Sequence, residues 1–132
     1  MSPQVTPQAT VMLVDSDVDS ADAHRIALES RGYEVIVAHS AREALKHLEE
    51  CRPRLVVLDV MLGTLTDGYH LVRAIRSDST RADTKIVVLS AANREFPQVE
   101  EEVVRNLLEV DAYYDRPLQP SRLVRIIAEL LQ

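Results

Sequence analysis

LVVLDVMLG, residues 55–63, runs four aliphatic residues into Asp59 and then turns apolar again. A carboxylate is costly to bury without a partner, so core packing alone gives no reason to place one here. The four residues before it are continuously apolar, without the alternation of a strand that has one face in water. That pattern belongs to a strand covered on both faces, as in a parallel sheet between two layers of helices. In such sheets ligands collect outside the carboxyl ends of the strands. Asp59 is therefore expected at a rim where function gathers, outside the core proper.

The chain on either side repeats the same unit. Residues 11–14 and 86–89 are apolar runs of the same kind, residues 34–38 are rich in β-branched side chains, and residues 112–114 read as a weaker fifth strand. Helical patterns lie between them. Residues 21–31 carry Ala23, Ile26 and Ala27 at helical spacing, after the N-cap types Asp19 and Ser20 and before Gly32 as a stop. Ser40 with Glu43 forms a capping box that opens a helix through Glu50, and Arg52-Pro53 ends it. A loop to Asp67-Gly68 precedes a helix carrying Leu71, Val72 and Ile75, and residues 77–84 read as a loop. Residues 97–108 place Val99, Val103 and Leu107 on one helical stripe, and Ser121 caps a last helix whose inner face is Leu123, Ile126, Ile127 and Leu130. The sum is an α/β fold: a five-stranded parallel doubly wound sheet with five helices. Residues 1–10, polar and proline-dotted, read as a disordered lead-in, and residues 11–132 as one domain.

Composition narrows the function classes. A chain of 132 residues with a hydrophobic fraction of 46% can bury a proper core, and with aromatics at 4% that core must be aliphatic. The net charge is −6 and no stretch is rich in lysine or arginine, which argues against direct contact with nucleic acid. The single cysteine, Cys51, fits a reducing compartment. No run of about eighteen apolar residues is present, and the first basic residue is Arg25, so neither a membrane span nor a signal peptide is expected. The expectation is a soluble, cytoplasmic protein. His24, His39, His47 and His70 are scattered over different elements and read as surface or boundary residues. Cys51 reads as an incidental thiol.

Four side chains fall at the expected rim. Asp15 follows the first strand, Asp59 ends the third, Ser90 follows the fourth and Arg116 follows the fifth. Any one of them alone reads as a turn former or a surface charge. Together, at successive strand ends, they read as a site. Two converging carboxylates repel and call for a cation, and few hard oxygen ligands suit Mg2+. One carboxylate can serve as nucleophile toward a phosphoryl group, with a hydroxyl and a guanidinium to hold its oxygens.

The stretches VMLVDSD (11–17), LVVLDVML (55–62), Asp67-Gly68, VVLSA (87–91) and YYDRPL (113–118), in this order, resemble the receiver domain of two-component response regulators. The resemblance runs from about Thr10 to the C-terminus. It implies the flavodoxin-like receiver fold and a signalling role in place of an enzymatic one. A histidine kinase or phosphotransfer protein would pass a phosphoryl group to Asp59, with Mg2+ beside it, and so switch binding to a downstream protein partner. Residue by residue, Asp59 would be the phosphoacceptor and Asp15 the first of the acidic pair that holds the metal. Met61 would offer its backbone carbonyl to the metal. Ser90 would be the hydroxyl that moves toward the phosphoryl group, Ala91 the small residue that leaves it room, and Tyr113 the aromatic whose rotamer follows. Receivers often form a homodimer through the fourth helix, fifth strand and last helix. Here Val104 and Leu108 lie off the inner stripe, and Glu101 and Glu109 could face Arg122 and Arg125 of a second copy.

Four departures from the family pattern stand out. The second acid of the metal pair is Ser16, neutral and a poorer donor for Mg2+. Asp17 next to it reads as serving the positive end of the first helix, as do Asp19 and Asp22. The family's lysine is Arg116, longer and planar, which is expected to pair with Asp59 while no phosphoryl group is present. The loop after the acceptor is one residue longer, with Gly63 for the usual proline, and the span from Ser90 to Arg116 is also longer. A weak Mg2+ site follows as the expectation. The alternative is a pseudo-receiver, a phosphorylation-independent interaction or dimerisation module. A hydrolase of the haloacid dehalogenase kind would want an aspartate where Met61 stands.

Overall fold

Successive residues of a strand point to opposite faces of its sheet, so a strand that is apolar throughout feeds two cores. In the computed structural model, which describes residues 9–59, 65–90 and 110–132, five strands lie side by side, three of them apolar almost throughout. They are β1 (Thr10–Val14), β2 (Glu34–Ala38), β3 (Leu55–Asp59), β4 (Lys85–Ser90) and β5 (Ala112–Asp115). All pairings are parallel and the order is β2-β1-β3-β4-β5. Val56 and Leu58 of β3 join Met12, Val14, Ile86 and Val88 beneath α2 (Ala41–Glu50) and α3 (Leu65–Ser77). Leu55 and Val57 join Val11, Leu13, Val87 and Leu89 beneath α1 (Val18–Glu29) and α4 (Pro120–Leu130). The doubly wound sheet is the expected one. The expected helix over residues 97–108 lies outside the described residues, which hold four α-helices and a 3₁₀ turn at Ser79–Arg81.

Several boundaries differ from the expectation. β1 opens at Thr10, and Ala9 before it is buried, its carbonyl accepting from the Glu34 N–H at 3.0 Å. α1 begins at Val18, because the N-cap is Asp17, whose carboxylate accepts from the N–H groups of Asp19 and Ser20 at 3.0 and 3.2 Å. Its buried face is Ala21, His24 and Leu28, while Ile26 is exposed. α3 already runs at Leu65, so Asp67-Gly68 lies inside the helix. A glycine there costs about 1 kcal/mol against alanine, little beside the burial of Leu71, Val72 and Ile75. α4 starts at Pro120, with Gln119 as N-cap and no side-chain cap bond, so Ser121 sits inside it. Proline favours the first helical position because its missing N–H would be unpaired there anyway. The Ser40–Glu43 cap forms as expected, Glu43 N–H donating to Ser40 Oγ at 3.1 Å while the Glu43 carboxylate accepts from the His39 N–H at 3.1 Å. Gly32 takes a positive φ of 91° behind α1, as a stop glycine does.

At the rim where the strands begin, Asp111 fastens the start of β5. Its Oδ2 accepts from the Ile86 N–H at 2.7 Å and pairs with Arg76 Nη2 at 3.0 Å, and Arg76 Nη1 donates to the Thr84 carbonyl at 2.7 Å.

Candidate functional site

The chain leaves β1 toward β2 on one side and later enters β3 on the other, so the crevice between the ends of β1 and β3 is the switch point of the sheet. Val14 pairs with Leu58, which brings the next residues, Asp15 and Asp59, side by side. The Asp15 N–H donates to the Ala38 carbonyl at 2.9 Å, which holds it at the rim. Both carboxylates are nearly shut off from solvent, Asp15 at 4% and Asp59 at 9% exposure. Two buried carboxylates at such a place need a counter-charge.

That charge is Arg116, just past the end of β5 and joined to Pro117 by a cis peptide. Its Nη2 lies 2.6 Å from Asp15 Oδ2 and 3.7 Å from Asp59 Oδ2. Its Nη1 donates to Ser20 Oγ at 3.1 Å. The expected pairing with Asp59 is thus the longer of two contacts, and the shorter one goes to Asp15. The remaining Asp15 oxygen, Oδ1, accepts from the Asp17 N–H at 2.9 Å. Ser16 is exposed, and the Asp17 carboxylate is engaged in capping α1.

Two histidines that the sequence passes over as surface or boundary residues support this arrangement. His24, buried in α1, places Nε2 2.9 Å from the Leu118 carbonyl, so Nε2–H donates and ties α1 to the segment just after Arg116. His39 places Nδ1 3.0 Å from the Asp15 backbone carbonyl, and since a carbonyl only accepts, Nδ1 carries the proton. His39 follows the last residue of β2, so the same strand-end rule that finds Asp15 finds it too. Ser20, read from sequence only as a cap type, is the third partner of Arg116.

The other candidate residues divide. Ser90 ends β4 in register with Asp115, at the same rim. Its side chain, with Met61 and Ala91, lies outside the described residues. Tyr113 is in register with Val88 and buried in the core beneath α2 and α3. Cys51 is remote from the rim. Its Sγ donates to the His47 carbonyl at 3.0 Å, and burial pushes its thiol up despite the opposing Arg81 charge, so it is poorly nucleophilic. Among the described residues no cluster of three or more histidine, cysteine or acidic side chains is placed to hold a metal ion. Asp15 and Asp59 by themselves offer a hard cation two charged oxygens, a loose fit that needs water and backbone oxygen to complete it.

The response regulator receiver domain family matches residues 11–128. The chain belongs to this family. Receiver domains of response regulators are signalling modules, and they generally bind Mg2+ at their acidic pocket. An uncharacterized 14.6 kDa protein of Leptolyngbya boryana is 31% identical over 126 residues, 96% of this chain and 92% of that protein. The phosphate regulon transcriptional regulatory protein PhoB of Pseudomonas aeruginosa is 30% identical over 93% of this receiver and 52% of its own length. The receiver thus spans about half the length of PhoB and of the Bacillus subtilis regulator PhoP. Among solved structures, a CheY-like receiver domain protein from Methanospirillum hungatei superimposes with a TM-score of 0.80 at 26% identity, covering 92% of each chain. Among the described residues, no helix is long and apolar enough to cross a membrane.

Proposed function

We propose that this receiver domain accepts a phosphoryl group on Asp59 from a histidine kinase or phosphotransfer protein in the cytoplasm, and that the modified domain changes its grip on a downstream protein. The observation that carries this reading is the pairing of Asp59 and Asp15 under one guanidinium at the switch point of the sheet. A carboxylate oxygen of Asp59 attacks phosphorus, an O–P bond forms, and the P–N bond to the donor imidazole breaks as that ring takes up a proton. Arg116 is placed to turn from the carboxylates to the phosphoryl oxygens, where its planar fork can hold two at once. By the resemblance, Ser90 would contact the same group through its hydroxyl, Ala91 would be the small residue beside it, and Tyr113 would follow the change. Asp15, Asp59 and the Met61 carbonyl would hold Mg2+ weakly, with Ser16 as a neutral neighbour, and the ion would supply further positive charge when bound.

Incubation with a small-molecule phosphodonor and Mg2+, followed by intact-mass measurement, should add one phosphoryl group, and Asp59→Asn should abolish it. Modification that persists in Asp59→Asn removes the assignment. A wild type that resists every donor points instead to the phosphorylation-independent module, a reading favoured by Ser16 and by the existing Arg116–Asp15 pair.

A further inference from the structure

The outer face of α2 carries charges that no other described residue answers. Arg42, Leu45, Lys46 and Glu49 follow one another at i, i+3, i+4 and i+7, so they form a single stripe along the helix, and all four are exposed. Among the described residues, the side chains of Arg42, Lys46 and Glu49 make neither a hydrogen bond nor an ion pair. Leu45 stands in the middle of the stripe at 40% exposure, and beside it a groove of about 710 Å3 reaches His70 and Leu71 of α3. We propose that this stripe is a self-complementary surface on which a second copy of the chain docks, α2 against antiparallel α2, about a two-fold axis between residues 45 and 46.

The order of the charges carries this. Arg42 lies in the first turn of α2 and Glu49 in the last, each at the end of the helix where the dipole disfavours it. Glu43 and His47, off the stripe, are disposed in the favourable sense. The stripe is thus arranged against the stability of its own helix. An antiparallel copy removes the conflict. It sets Arg42 against Glu49 of the second copy and, by symmetry, Glu49 against Arg42 of the second copy. Each Leu45 then lies over the aliphatic stem of the opposite Lys46, beside the groove. An apolar centre between charged ends is the usual anatomy of an interface. A partner of one charge sign would answer only half of the stripe. The patch is one helix wide, smaller than a standard interface, so the dimer is a weak one. Nothing in this contact involves Asp59 or a phosphoryl group, so its test is separate from the labelling at Asp59.

The full chain is followed by sedimentation equilibrium without phosphodonor or beryllofluoride, in about 0.15 M salt, where the repulsion between two chains of net charge −6 is screened. The wild type should show a monomer–dimer equilibrium. Arg42→Glu and Glu49→Arg should each weaken it about tenfold, since one substitution turns both cross-pairs repulsive. Mixed with each other, these two variants regain both pairs and should associate within about threefold of the wild type. The chain carrying both substitutions should do the same on its own. A wild type that is monomeric at high concentration, or single variants that fail to associate on mixing, overturns the proposal.

Discussion

A guanidinium suits the place between Asp15 and Asp59 in a way that an ammonium does not. Its flat fork addresses two carboxylates with one nitrogen and Ser20 with another, and a lysine has a single head for all three. The fork is useful only if the backbone behind it stays put, and there His24 has its role. His24→Leu leaves the Leu118 carbonyl without the Nε2–H and should cost about 1–3 kcal/mol of stability in urea unfolding. His24→Gln, which can present a donor at nearly the same reach, should cost clearly less. An equal loss in both variants would mean that packing, not the hydrogen bond, sets the cost. Asp15 and Asp59 were legible in the sequence because each ends an apolar run, and Arg116 because it stands just past the weaker fifth strand. The partition of Arg116 between the two acids was not, because it depends on an approach angle that no spacing encodes. His24 escaped notice because an imidazole among apolar residues counts as polar until its one partner, ninety-four positions away, is known.

At the level of elements, the strands were plain and the helix starts were not. Short apolar runs rich in β-branched residues and bounded by turn and cap signals read as strands, being too short for helices of their own. Helix starts depend on which of several adjacent cap-type residues turns its side chain back, and Asp17, Asp19 and Ser20 compete for that place at α1. Asp17 wins it, and the helix buries Ala21, His24 and Leu28 while Ala23 and Ile26 are exposed. The same capping role separates Asp17 from the metal. Asp17→Ala should lower stability by about 1 kcal/mol in thermal or urea unfolding and leave Mg2+ affinity within about twofold of wild type. A tenfold loss of Mg2+ binding would make Asp17 the missing second acid of the pocket.

For the molecule as a whole, a sheet covered on both faces leaves its edges and helix surfaces for partners. Arg122 and Arg125 are exposed on α4, Arg122 standing 5.5 Å over the Tyr114 ring. A homodimer through the last helix, β5 and the 97–108 segment would set them against Glu101 and Glu109 of a second copy. Arg122→Glu with Arg125→Glu should then weaken self-association about tenfold in sedimentation equilibrium with beryllofluoride present. A wild type that stays monomeric at high concentration under those conditions excludes the dimer. The fastening of Asp111 to Ile86 and Arg76 has a consequence for how such a chain can change in length. It pins β5 at one end, and Arg116 projects from the other, so the strand acts as a measuring rod between a fixed anchor and the acidic pocket. Strand residues advance about 3.3 Å each and alternate faces, so a single insertion between Asp111 and Tyr113 would turn Tyr113 out of the core and carry the guanidinium past both carboxylates. Growth or loss of residues within this span is therefore ruinous.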